Sequence, residues 1–78
     1  MLNQYGLVRV RKILRSADEY DGWRINQRPP QIGDIGTIVE ILQASNLPTC
    51  YVVECSNSYG NTIWLSDFYA GEIDAIEG

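Results

Sequence analysis

The side chains able to do chemistry are few and unevenly placed. Cys50 and Cys55 are the only cysteines, and there is no histidine. A tetrahedral zinc site within one chain needs more ligands of these types, and the Ser-His and Cys-His nucleophile pairs need the imidazole, so both are excluded. The two cysteines stand five apart in one predicted strand, point to opposite faces and cannot readily pair within it. They read as small hydrophobes. Asp18, Glu19 and Asp21 form an acidic cluster that could face a hard cation, but they lack the ligand spacing and glycine of a calcium loop and read as a solvated loop. Asp34 lies in Gly33-Asp34-Ile35-Gly36 and suits accepting hydrogen bonds from turn amides rather than acid/base work. No catalytic, metal or cofactor-binding residue is assigned, and no cofactor is expected.

Charge is distributed by halves. All six basic residues (Arg9, Arg11, Lys12, Arg15, Arg24 and Arg28) fall in the first 28 positions, and from Pro29 onward every charged residue is acidic, for a net charge of −4. That balance repels nucleic acid at long range, although Arg9, Arg11, Lys12 and Arg15 could hold phosphates locally. The simpler expectation is that the arginines of one strand face acidic strands beside it.

Aromatic residues supply the remaining candidates. Trp64 alternates with Ile63 and Leu65, which are read as core positions, so Trp64 is expected at least half exposed on the outer face of the sheet, where an indole is a good interface anchor. The equal alternative is that the long loop folds back and covers it, with Trp23 or Ile25 as the contact; either way Trp64 and the loop from Tyr20 to Ile25, with Trp23 and Arg24, are expected as neighbours in function or in packing. Phe68 and Tyr69 are adjacent, with Phe68 expected inside and Tyr69 toward solvent. The predicted interaction set is therefore Tyr20, Trp23, Arg24, Trp64 and Tyr69.

The elements that position these residues are short strands. Leu7 to Leu14 begins with Val8 and Val10 inward and Arg9 and Arg11 outward, and Lys12 breaks the row, so the strand ends or bulges near Lys12 to Leu14. Arg15 to Gln31 has no period and contains Pro29-Pro30, which predicts a long irregular loop, the first place to look for a site. Gly33 and Gly36 fit a sharp turn into the strand Thr37 to Leu42, whose core face is expected to be Thr37, Val39 and Ile41 because Glu40 prefers water. After a loop over Ala44 to Thr49, Cys50 to Cys55 is a third strand with Tyr51, Val53 and Cys55 inside. Ser56 to Gly60 is a hairpin turn, with Tyr59 at its tip, and Asn61 to Leu65 is the fourth strand. Ser66 to Gly71 is expected to hold a single 3₁₀ turn, and Glu72 to Ile76 a fifth strand with Ile73 and Ala75 on one face. The order predicts an all-β fold in one domain over residues 1–78: a five-stranded, closed or nearly closed antiparallel barrel with a long first loop and a 3₁₀ turn before the last strand.

This pattern resembles the SH3-like small barrels over nearly the whole chain, from Tyr5 to Ile76. Ile32-Gly33-Asp34 looks like their diverging turn, and the loop before it takes the place of the RT loop. More narrowly, Gly33-Asp34-Ile35-Gly36-Thr37-Ile38-Val39-Glu40 followed by Tyr51-Val52-Val53-Glu54-Cys55 resembles a family of uncharacterised small bacterial proteins with the consensus Gly-Asp-x-Gly-Thr-Val-Val and then Tyr-x-Val-Glu-Phe. Cys55 stands where that family has an aromatic residue. Peptide-binding SH3 domains imply an aromatic groove for proline-rich ligands, but the first strand here lacks their Ala-Leu-Tyr-Asp-Tyr pattern. The plasmid-type dihydrofolate reductases, tetrameric barrels with a central pore, imply a Val-Gln-Ile-Tyr signature that falls on Thr62-Ile63-Trp64-Leu65, without the glutamine and tyrosine that hold cofactor and substrate.

With 78 residues, a chain of this kind buries roughly 60% of its unfolded surface, so its core is small and self-association would help it. The expected function is a non-catalytic protein-interaction or oligomerisation module, with a protein partner or a second copy as ligand. The alternatives are an oligomeric small-barrel enzyme resembling the reductase in architecture, and nucleic-acid binding through the basic first strand. No apolar run is long enough for a membrane span, and the first six residues lack the basic and apolar regions of a secretory signal, so a cytoplasmic setting is expected.

Overall fold

The computed structural model describes residues 1–76, so the last two positions of the expected domain lie outside the described residues. Five strands form one antiparallel sheet: β1 (Leu7–Val10), β2 (Ile35–Leu42), β3 (Cys50–Ser56), β4 (Thr62–Tyr69) and β5 (Ile73–Ala75). Their spatial order is β4-β3-β2-β1-β5. The all-β expectation holds. Among the described residues no ladder joins β4 to β5, so the sheet is open along that seam. Pairing of Val8 with Ala75 and of Val10 with Ile73 brings the two ends of the chain together.

Val8 and Val10 point inward as their alternation predicts, and they meet Tyr20, Ile38, Val53, Cys55, Trp64, Phe68 and Ile73 in the core. Trp64 is fully buried, which corrects the expectation of an exposed indole. The face of β4 is the reverse of the one expected: Trp64, Ser66 and Phe68 point in, while Ile63 and Leu65 are only half-buried. An inward serine disguised the period. Ser66 is tolerated there because its Oγ donates to the Tyr20 carbonyl at 2.7 Å, so the buried hydroxyl has its partner. For the same reason β4 continues to Tyr69, and the 3₁₀ turn is confined to Ala70–Glu72 rather than beginning at Ser66. Trp64 meets Phe68 edge-on at 5.6 Å between centroids, and Tyr20 lies 5.3 Å from Phe68 on its other side. Aromatic pairs of this kind contribute about 0.5–1.5 kcal/mol beyond burial.

On β2 the expected core face of Thr37, Val39 and Ile41 is right only at Ile41. Ile38 is fully buried, Thr37 and Val39 are half-buried, and the pairing with β3 skips from Ile38 to Glu40. Val39 is the extra residue of a β-bulge, which lets Ile38 face the core while Glu40 and Leu42 still face solvent. Gly36 is demanded by packing. A Cβ there would lie 2.6 Å from Val53 Cγ1 and 2.7 Å from the Glu54 carbonyl oxygen.

The loop from Arg11 to Asp34 is ordered, not structureless. Ser16 opens a 3₁₀ turn over Ala17–Tyr20, with its Oγ donating to Glu19 Oε1 at 3.1 Å. Beyond it the chain runs along the outer edge of β4. Gln27 N donates to Ile63 O at 2.8 Å, Leu65 N donates to Asn26 Oδ1 at 2.9 Å, Gln27 Nε2 donates to Thr62 O at 2.9 Å, and Arg15 Nη2 donates to Asp67 O. Edge amides and carbonyls that would otherwise template another strand are thereby occupied.

Candidate functional site

Two arginine-centred clusters fix the ends of this strap. At its start, Glu72 is buried at the 3₁₀ turn before β5. Its Oε1 accepts from Arg15 Nη2 at 3.1 Å and from Tyr69 N at 2.9 Å, and its Oε2 accepts from the Tyr20 hydroxyl. The guanidinium also lies 4.3 Å over the Tyr20 ring, a cation–π contact. Burial and the bond to Glu72 push the Tyr20 phenol above its ordinary value. Burial alone would lower Arg15, but Glu72 and Tyr20 outweigh it and hold the guanidinium charged.

At the strap's far end Arg28 forms a two-pronged pair with Asp34, at 2.8 Å from Nη1 to Oδ2 and 3.1 Å from Nη2 to Oδ1. Asp34 Oδ2 also accepts from Gln31 N at 2.9 Å, as its turn position predicts, and from Trp64 Nε1 at 2.9 Å. Burial would raise this carboxyl, yet the bonds from Arg28, Gln31 and Trp64 prevail and hold it below the usual carboxylate value.

The acidic cluster is spent on local geometry. Asp21 Oδ1 accepts from Ile25 N at 3.0 Å and Asn26 N at 3.2 Å, and Glu19 caps the 3₁₀ turn. Among the described residues, no group of three or more His, Cys, Asp or Glu side chains could hold a metal ion. Asp74 of β5 stands opposite Arg9 in the ladder, as expected of arginines facing an acidic strand, and pairs at 3.6 Å with Arg11 just past β1, at an exposed position where such pairs contribute little.

The predicted interaction set divides. Tyr20 and Trp64 are buried in the core and present no surface, a correction for both as contact residues. Trp23, 47% exposed, and Arg24 lie on the strap, where Arg24 lines a polar cleft with Asp18, Asp21 and Gly22. Tyr69, 46% exposed, belongs elsewhere.

Tyr69 walls an open, mainly apolar groove of about 410 Å³ at the end of the sheet. The opposite side is the β2–β3 loop, with Ala44, Leu47 and Pro48, and the floor is Ile41, Leu42 and Cys50. Tyr69 pairs with Cys50 across β3 and β4, and Cys50 with Leu42 across β2 and β3, so three strands build this floor. Leu47 is exposed, and Asn46 beside it turns the loop at φ 66°. The Cys50 thiol is pushed up by burial and then by the Asp67 carboxylate, so it stays protonated and serves packing rather than nucleophilic attack. Asp67 itself is raised by burial, more than Arg15 can offset. One of its oxygens, Oδ1, has no hydrogen-bond partner.

Sequence reading did not find this groove, since Leu47 and Pro48 sit in an ordinary connecting loop. The inward serine of β4 was the missed signal for Trp64. No signal short of the fold links Arg15 to Glu72, 57 positions apart. No protein-family model matches the chain, and comparisons with curated proteins and with solved structures return no match. Among the described residues no helix is long and apolar enough to cross a membrane.

Proposed function

We propose that this chain is an SH3-like small barrel and a non-catalytic interaction module that docks an apolar, positively charged peptide segment of a partner protein in the Tyr69–Leu47 groove. The fold reading is supported by the strand order β5-β1-β2-β3-β4, the long loop between β1 and β2, and the 3₁₀ turn between β4 and β5. Tyr20 and the strap cover the β4 side of the open seam.

The observation that carries the functional reading is the groove itself. It exposes Tyr69, Leu42 and Leu47 together around a concave floor, in a half of the chain whose charged residues are all acidic. Aromatic and aliphatic anchors in a concavity carry binding energy, and the acidic balance of the chain from Pro29 onward attracts a cationic segment at long range. A displayed library of random peptides tests it. Enriched sequences should combine apolar residues with Lys or Arg, and Tyr69→Ala or Leu47→Asp should weaken their binding at least about tenfold, a loss of about 1.4 kcal/mol. Tyr59→Ala, at the exposed β3–β4 turn, should leave it unchanged. Selected peptides that bind Tyr69→Ala as well as the unaltered chain would overturn the reading.

A further inference from the structure

The groove at Tyr69 has no carboxylate in its own lining, but the sheet registers place three of them just beyond its floor. That floor includes Leu42, Cys50 and Tyr69, one row across β2, β3 and β4 on the sheet face away from the core. Side chains alternate along each strand, so the next row on the same face is Glu40, Val52 and Asp67. The row after it sets Glu54 between Thr37 and Leu65. Opposite neighbours on adjacent strands stand about 5 Å apart and diagonal ones roughly 7–8 Å. Glu40 and Asp67 therefore flank Val52 directly, and Glu54 lies diagonal to both.

The chain does not pair these charges with cations. Ion pairs among the described residues join Arg11 to Asp74, Arg15 to Glu72 and Arg28 to Asp34, and none involves Glu40, Glu54 or Asp67. Glu40 is exposed. Glu54 Oε2 accepts from the Thr62 hydroxyl, a neutral donor. Asp67 Oδ1 has no hydrogen-bond partner, and Arg15 donates to the backbone carbonyl of Asp67 rather than to its carboxylate. Like charges gathered on neighbouring strands are unfavourable until a cation meets them. Val52 is only 4% exposed although it faces away from the core, so its neighbours on that face close over it. The three charges thus stand around an apolar base, where water screens them less than on an open polar surface.

We infer, given docking in the Tyr69 groove, that the bound peptide seats a lysine or arginine side chain over Val52 between Glu40 and Glu54, and that these two glutamates set the preference for a cation. The methylene stem of such a side chain suits the apolar base, and its charged head suits the rim. Successive rows on one sheet face are two residues apart along the strand, about 7 Å. An extended peptide spans that distance in two residues, and the reach of the side chain adds one either way. The cation belongs within about three positions of the apolar anchor.

Peptides selected from the displayed library on the unaltered chain are the probe. Each is made again with its lysine or arginine replaced by norleucine, and both versions are titrated calorimetrically. The selected peptides should carry Lys or Arg within about three positions of the anchor. Glu40→Lys should weaken the cationic version at least about tenfold and leave the norleucine version within about twofold, and Glu54→Gln should act the same way, about threefold. Asp18→Lys, on the strap, alters net charge equally but should weaken the cationic version less than about twofold at about 0.15 M salt. Near-ultraviolet circular dichroism should show all three variants folded. Anchored peptides without a nearby cation overturn the inference. So does a Glu40→Lys loss no larger than that of Asp18→Lys, or one shared by the norleucine version. In these cases the groove reading stands as long as Tyr69→Ala still releases the peptide. Peptides released by Glu40→Lys but indifferent to Tyr69→Ala would instead overturn the groove, and this inference with it.

Discussion

The two ends of the strap are built from the same three parts, an arginine, a carboxylate and an aromatic side chain, but they hold different things. At the Arg15 end the carboxylate is the buried member: Glu72 lies almost wholly out of water, and three donors converge on it. At the Arg28 end the pair is nearer the surface, with the Arg28 side chain 35% exposed, and the carboxylate of Asp34 ties a turn to the indole at the centre of the core. The first cluster closes the seam beside β5; the second positions Trp64. Burying a charge is tolerated only with full compensation, so the deeper cluster should be the more sensitive to losing a member.

Glu72→Ala is accordingly expected to have the largest effect. It leaves Arg15 and the Tyr20 hydroxyl without their acceptor, and a loss of about 3–5 kcal/mol in urea unfolding is expected. Asp34→Ala should cost less, about 2 kcal/mol, because water can reach Arg28 while the Trp64 N–H is left unpaired. Trp64 emission should change with it. If both substitutions cost the same, depth does not distinguish the two ends. Tyr20→Phe removes one donor to Glu72 and keeps the ring against Phe68, so a loss of about 1–2 kcal/mol is expected in the same assay.

Acid unfolding sharpens the comparison, because Asp34 and Asp67 shift in opposite directions. Asp34 is lowered by folding, so its contribution is present above the unfolded carboxyl value of about 3.9 and is lost as pH falls through its depressed folded value. Asp34→Asn should therefore remove part of the stability loss below pH 4. Asp67 is raised by folding, so its contribution is present below the unfolded value and is lost as pH rises through the folded one. Asp67→Asn should give the smallest effect, a gain of about 0.5 kcal/mol at pH 7 that vanishes in acid, measured by thermal melts at both pH values. A loss at pH 7 would mean that the Asp67 charge is compensated by Arg15.

Much of the sheet was legible because its strands alternate cleanly where one face is dry. Val8 and Val10 on β1 behave as period-two reasoning requires, and Val53 and Cys55 on β3 lie inside as expected, although Val52 beside Val53 is buried too. The failures have physical causes. At Val39 a bulge shifts the period by one residue, and no composition marks the place. At Ser66 a polar residue faces inward because a loop carbonyl waits for it, a partner supplied from 46 positions away. Those two residues misassigned the faces of β2 and β4, and with them the exposure of Trp64. The candidate site was legible only at Tyr69. Its groove depends on a loop meeting a strand end, and hydrophobic periodicity carries no information about that meeting.

The pairing of β1 with β5 also governs when the protein can fold. During synthesis β1 emerges first, yet one edge of Val8–Val10 can be completed only by Ile73–Ala75, more than sixty residues later. The hairpins β2–β3 and β3–β4 join neighbours in sequence and can form while the chain is still growing. Contacts between distant positions form slowly because a long loop must close before they contribute. The nascent chain should thus acquire its three-stranded centre first and seal β1 and the Arg15 end of the strap last. Until residues 72–75 have left the ribosome, Tyr20 lacks the Glu72 carboxylate that fixes it, and β1 keeps one edge unpaired.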